Sequence, residues 1–203
     1  MNEKPKAIKK SPSKKELASR LDNVRDLMKK EELDYYISFD PVNIYYLTNF
    51  ANNVHERPFI FIIPREEKPK FIVPLLEKSH VLDRAIIDMD LVSYYEFPAP
   101  EGKNWYDHYK NTLKDAKIVA LETSIPFEIY ERTPGKKYAD DIIDEIRIIK
   151  TDYEVGRLVH ASKIVSKGHK KLLKICKPGM AEFGIYQEVT GAMTSKIIQD
   201  IPN

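Results

Sequence analysis

The sequence predicts an α/β fold: a mixed, mostly parallel sheet of roughly five to six strands covered by helices. Two observations carry that expectation. Short apolar runs of strand length, among them Phe59–Ile63, Phe71–Val73 and Ile118–Leu121, are bounded by proline, charge or turn residues. Between such runs lie segments with apolar residues three and four apart, several with recognisable helix caps. A third observation divides the chain, because one long amphipathic stretch, Asp152–Lys177, follows the last of these short elements.

The elements follow in order. Ser13 with Glu16 three residues later has the capping-box pattern of a helix N-terminus, and Leu17, Leu21, Val24, Leu27 and Met28 then share one face as far as Glu31. Leu33–Phe39 reads as a buried strand. Asp40-Pro41 starts a short helix over Val42–Leu47, with Asp as cap, Pro in the first turn and Asn49 suited to a left-handed residue after it. Phe59–Ile63 and Phe71–Val73 flank the charged loop Arg65–Lys70 as a hairpin. Glu77–Ile87 is expected to be helical, Leu91–Tyr95 a strand, Trp105–Leu113 a helix, Ile118–Leu121 a strand and Pro126–Arg132 a short helix. Lys136–Ile143 reads as extended or mixed. Thr151 and Glu154 form a second capping box, and Pro178-Gly179 stops the long helix before a further helical segment.

Composition narrows the function classes. The 203 residues are 42% hydrophobic and 32% charged with a net charge of +2, enough apolar content for a packed core. The first 16 residues hold six lysines and two glutamates, so the remainder is slightly acidic and has no basic surplus for a polyanion. Residues 1–16 are expected to form a basic flexible tail, without the arginines and aromatics of a nucleic-acid arm. The single cysteine, Cys176, permits no intrachain disulfide, and no apolar run reaches membrane-spanning length. These features predict a cytoplasmic protein that engages neither membrane nor nucleic acid. The expected organisation is 1–16 tail, 17–148 α/β domain, and 149–203 linker helix with the start of a second domain.

Generic catalytic motifs are absent from the sequence. His55-Glu56 has no second histidine four positions after the first, as a paired-histidine zinc helix requires, and Thr133–Lys137 lacks the glycine and hydroxyl of a phosphate loop. The five histidines are dispersed. His160 and His169 are expected at the surface or a boundary of the long helix, and Cys176 is expected as a small buried hydrophobe on its apolar stripe. Asp40–Pro58 stands apart as a loop-rich stretch with four asparagines, three aromatics and the cluster His55, Glu56, Arg57.

Two stretches resemble the creatinase/prolidase/Xaa-Pro aminopeptidase family of pita-bread metallopeptidases. Arg20–Phe50 is similar to the start of the family's N-terminal domain. There Asn43, Tyr46, Leu47, Thr48, Asn49 and Phe50 stand for the pattern Asn-x-x-Tyr-Leu-Thr-Gly-Phe, with Asn in place of Gly. Arg147–Met193 is similar to the linker and opening helices of the catalytic domain, although Ala181 stands where a capping Thr or Ser is common. The Glu-Arg-Pro at 56–58 and Phe71–Glu77 resemble Xaa-Pro peptidase members.

The resemblance implies a creatinase/prolidase-type N-terminal domain followed by a truncated pita-bread start. It implies a parent that hydrolyses peptide bonds involving proline, as a dipeptidase or aminopeptidase P, with two divalent metal ions (Mn, Co or Zn). The family's metal ligands belong to the part after these helices, so no catalytic and no metal residue is assigned here, and this chain alone is expected to be inactive. The domain is expected to form a homodimer and to shape the neighbouring subunit's active site, where His55 and Arg57 are the candidate substrate-binding residues in trans. A binding or scaffolding module, and a creatinase-like amidinohydrolase parent, are the alternatives. The apolar stripe Val155–Cys176 is expected to be exposed, repacked or buried against another copy.

Overall fold

The computed structural model describes residues 5–53 and 56–201 and divides the chain into two units. The first is Pro12–Ile148, and the second joins Met1–Ser11 to Ile149–Asn203.

In the Pro12–Ile148 unit, the Ser13 hydroxyl accepts the Glu16 amide and opens α1 (Lys14–Lys30). The strands are β1 (Tyr35–Ser38), β2 (Ile60–Pro64), β3 (Lys70–Pro74), β4 (Asp90–Tyr94), β5 (Ile118–Leu121) and β6 (Lys136–Ala139). They form one sheet in the order β4-β3-β2-β1-β5-β6. Pairings β3–β4, β1–β5 and β5–β6 are parallel, and β1–β2 and β2–β3 are antiparallel. The expected mixed, mostly parallel sheet is present. The helices are α2 (Pro41–Thr48), α3 (Lys78–Arg84), α4 (Trp105–Thr112), α5 (Phe127–Arg132) and α6 (Ile142–Arg147).

Strand periodicity sorts the core into two layers, because successive side chains leave a strand on opposite faces. Tyr36, Phe61, Ile63, Phe71 and Val73 face one way, onto α1, α2, α3 and α6. Ile37, Ile60, Ile62, Ile72, Val119 and Leu121 face the other way, onto α4 and α5 through Tyr109, Leu113 and Ile129. Burial on both sides explains why these strands read as unbroken apolar runs rather than as alternating ones.

Some boundaries move. The helix expected over Glu77–Ile87 is a 3-10 turn, Leu75–Glu77, followed by α3. The mixed segment Lys136–Ile143 resolves into β6 and the start of α6, and β6 is an edge strand with its side chains mostly exposed.

In the other unit, Thr151 and Glu154 form a reciprocal capping box at the start of α7 (Asp152–Ile175), which pairs with α8 (Glu182–Asp200). Two glycines of α7 mark close approaches. A Cβ at Gly168 would stand 2.7 Å from the Met193 sulfur, and one at Gly156 would stand 2.5 Å from the Ile8 side chain. The N-terminal stretch therefore has contacts here: the Ile8 amide donates to the Gly156 carbonyl at 2.9 Å, and the Tyr153 hydroxyl donates to the Lys10 carbonyl at 2.9 Å.

Two expectations for α7 are corrected. His160 is buried, because its imidazole meets the Asp200 carboxylate of α8 at 2.9 Å. Cys176 is exposed, because the helix ends at Ile175 and the chain turns there. Leu158, Val165 and Leu173 of the apolar stripe are exposed.

Candidate functional site

The Asn-x-x-Tyr-Leu-Thr-x-Phe residues form the base from which the loop after α2 springs. The Asp40 carboxylate accepts the Val42 and Asn43 amides and fixes the first turn of α2. Asn43 is buried, donating to Glu122 at 3.0 Å and accepting from Arg147 at 2.7 Å. The Tyr46 ring lies under the Arg20 guanidinium at 4.2 Å, and the Tyr46 carbonyl accepts from the same arginine. Leu47 is in the core, and the Thr48 hydroxyl joins the Ile44 carbonyl to the Phe50 amide. Asn49 has φ 66°, the left-handed conformation that its family counterpart Gly adopts without cost and that Asn tolerates. Phe50 and Phe59 then pack at 5.9 Å and both lie against Phe71, so the two ends of the 51–58 loop are pinned together.

Glu122 controls this base, and reading the sequence alone did not single it out. It continues β5 by one residue and is fully buried. Its carboxylate accepts four hydrogen bonds: the Ser38 hydroxyl and the Phe39 and Asp40 amides at 2.7 Å each, and the Asn43 amide group at 3.0 Å. Burial pushes its pKa above the ordinary carboxylate value, and the four donors oppose that shift. The readable signal is a lone glutamate ending a buried apolar run, but its partners lie about 80 positions earlier.

On one side of the pinned loop is a cleft of about 360 Å³ lined by Phe50, Ala51, Asn52, Asn53, Glu77 and His80. His80 Nδ1 is 2.8 Å from Glu77 Oε2, and Asn52 Oδ1 is buried without a hydrogen-bond partner among the described residues. Arg57 is partly exposed, with its Nε 3.1 Å from Glu96 and 3.5 Å from Glu56. His55 lies outside the described residues. The cleft offers Asn52, Glu77 and His80 as hydrogen-bonding groups, and Arg57 is not among its lining residues. No group of three or more His, Cys, Asp or Glu among the described residues could hold a metal ion, so the chemistry of a metal pair does not fit the donors described.

Residues 20–149 match the family model described as Creatinase/Prolidase N-terminal domain. The chain belongs to this family. The prolidase from Pyrococcus horikoshii OT3 superposes with a TM-score of 0.72 at 19% identity, covering 88% of this chain and 49% of that one. An uncharacterized peptidase of Staphylococcus epidermidis, SERP1271, is 22% identical over 153 residues, 73% of this chain and 42% of the relative. The ectoine hydrolase of Halomonas elongata is 22% identical over 196 residues, 87% of this chain and 48% of the relative. The chain spans about half the length of the curated relatives it matches. In this creatinase/prolidase domain, the motif residues are those that build the loop base. Among the described residues, no helix is long and apolar enough to cross a membrane.

Proposed function

We propose that this chain is the non-catalytic N-terminal portion of a cytoplasmic metal-dependent Xaa-Pro peptidase, of dipeptidase or aminopeptidase P type. In that reading it forms a homodimer, and its 49–57 loop walls the neighbouring subunit's active site. His55 and Arg57 meet the substrate there, Arg57 as a bidentate donor to a peptide carboxylate. The metal pair and its hydroxide chemistry belong to the rest of the parent protein. The observation that carries the proposal is the loop itself: its base is rigidly built, while the cleft beside it carries a buried amide oxygen, Asn52 Oδ1, in need of a donor. Rigid support beneath a polar loop is how a fold presents a binding group.

The chain alone, incubated with Mn²⁺ or Co²⁺ and an Xaa-Pro dipeptide, is expected to show no turnover. Metal-dependent hydrolysis by it would sink the reading. In the full-length protein, Arg57→Leu is expected to raise KM by about tenfold with kcat little changed, the signature of lost ground-state and transition-state binding alike. An unchanged KM would remove Arg57 from the site. The ectoine hydrolase relative favours a second reading, a parent acting on a small non-peptide compound. Turnover of such a compound, and none of proline dipeptides, by the parent would select it.

A further inference from the structure

The loop after α2 springs from a helix too short to hold itself. Pro41–Thr48 is eight residues, and isolated helices below about 12–15 residues are marginal in water. Its placement therefore rests on what its side chains meet. Ile44 and Leu47 enter the core, but apolar burial is non-directional.

Two arginines from neighbouring helices supply the direction. Asn43 and Tyr46 are three residues apart and share one face of α2. Arg147, in the last turn of α6, donates to the buried Asn43 Oδ1 at 2.7 Å. Its guanidinium also lies 5.6 Å from the centre of the Tyr46 ring. Arg20 of α1 covers the same ring at 4.2 Å and donates to the Tyr46 carbonyl at 2.7 Å. The Asn43 amide nitrogen is committed to Glu122 at 3.0 Å, so the group has one orientation and turns its oxygen to Arg147. The two arginines differ in burial. Arg20 is enclosed in the packing of α1, whereas the Arg147 side chain is 36% exposed, so replacing it removes bonds more than core.

The far end of α2 carries the consequence. The Thr48 carbonyl accepts the Ile86 amide at 3.0 Å, and the Asn49 side chain donates to the Arg84 carbonyl at 3.3 Å. These bonds join the end of α2 to the end of α3. The cleft of about 360 Å³ has Phe50–Asn53 on its α2 side and Glu77, His80 and Arg84 on its α3 side. Asn43 and Asn49 are separated by about 9 Å along the helix axis, so a tilt of about 10° at the first turn carries Asn49 about 1.5 Å sideways. A binding group must stay within about 0.5 Å of its productive place. The angle of α2 therefore decides whether the cleft keeps its shape.

We propose that Arg147 is a positioning residue: through Asn43 and Tyr46 it fixes the angle of α2, and with it the place of Phe50–Asn53 in the cleft. The mechanical part is a property of this chain alone. Its effect on substrate rests on the reading of the 49–57 loop as a wall of the neighbouring subunit's active site. Lysine is an incomplete substitute, because an ammonium can reach Asn43 but has no planar face for the Tyr46 ring.

Amide exchange in the 203-residue chain tests the mechanical part. Arg147→Met is expected to accelerate exchange at Asn49, Phe50 and Ile86 by at least about tenfold, with β2 and β3 unchanged. Arg147→Lys, which keeps a donor, should return those amides to within about threefold of the parent chain. Unaltered exchange at the three amides would overturn the proposal. So would equal acceleration in β2 and β3, which would make Arg147 a residue of general stability, or a lysine variant no better than the methionine one. In the full-length protein, Arg147→Met is expected to raise KM about fivefold with kcat little changed, because a displaced wall loses binding rather than chemistry. A fall in kcat at constant KM, the mark of partly unfolded enzyme, would overturn the positioning role. A KM raised by Arg57→Leu but not by Arg147→Met would do the same and leave the substrate loop standing. Unchanged KM in both variants would remove the loop from the site, and the effect of Arg147 on substrate with it.

Discussion

The two units of the chain are stabilised in different ways. Pro12–Ile148 is held by a sheet whose central strands are buried on both faces, with large side chains such as Tyr36, Phe61, Phe71 and Ile63 fully enclosed. Among its described residues, the α7/α8 unit has no such interior. Its buried α7 positions are Gly156, His160 and Gly168, two close approaches and one imidazole, while Leu158, Leu173, Phe183 and Ile198 are exposed. The difference shows that helix pairing and apolar burial are separable. A hairpin can be registered by glycine contacts and a charge cluster without enclosing its apolar residues. Hydrophobic stabilisation then resides almost entirely in the sheet unit.

The sharpest break of that contrast uses one residue from each unit. Phe61→Ala removes a ring packed edge-on to Phe71 at 5.5 Å in a fully buried site. Its expected cost is about 3–5 kcal/mol, read as a lower urea midpoint for the sheet unit. Leu173→Ala, at an 83% exposed position of α7, is expected to change stability by less than about 0.5 kcal/mol. Comparable losses would mean that the α7 stripe is covered in solution, and would remove the distinction.

The elements legible in the sequence were those that local chemistry specifies. Ser13, Asp40, Asn49 and the Thr151–Glu154 box each act within four residues, and each does in the structure what its position predicts. The buried strands were legible because both their faces are apolar. β6 was not, since an edge strand with exposed side chains carries no hydrophobic pattern. Long-range pairings were invisible for the same reason. His160 reads as a surface or boundary histidine until Asp200, forty positions later, is beside it, and Glu122 is only a lone glutamate ending an apolar run until Ser38–Asn43 surround it. Of the candidate site, the loop and Arg57 stood out by composition, whereas Glu77 and His80 needed the fold to bring them to it.

Glu122 tests whether the sheet unit depends on one polar group as well as on its apolar core. Glu122→Gln keeps the shape but turns an amide hydrogen toward one of the four donors, at an expected cost of about 1–3 kcal/mol. The pH dependence follows from the raised folded pKa. The folded state holds the Glu122 proton more tightly than the unfolded state, so that stabilisation is complete below the unfolded value, near 4.5. It is lost as pH rises through the folded value. The deficit of Glu122→Gln relative to the parent chain is therefore expected to be largest near pH 4 and to shrink toward neutrality. Urea unfolding at a series of pH values measures it, and a deficit that widens with pH would reverse the assignment.

The smallest effect is expected where the N-terminal stretch meets α7. Lys9 reaches the Asp200 carboxylate at 2.7 Å, Lys196 reaches the same oxygen, and His160 reaches the other. These three partners hold the Asp200 carboxyl well below the usual range. Gly156→Ala leaves all of these groups in place and adds one methyl group where the Ile8 side chain now lies. Alanine gains the helix up to about 1 kcal/mol over glycine, so the stability of α7 is expected to hold or rise slightly. The Ile8–Gly156 hydrogen bond should nevertheless open, because the methyl group and Ile8 cannot occupy the same space. Amide exchange at Ile8 and tryptic cleavage after Lys9 and Lys10 are then expected to accelerate while exchange within α8 stays unchanged. Unaltered protection at Ile8 would show that its side chain simply swings aside and that the glycine is not what seats the N-terminal stretch. Acceleration in α8 as well would show the opposite excess, a hairpin whose pairing depends on that stretch rather than on the glycine and charge contacts of the two helices.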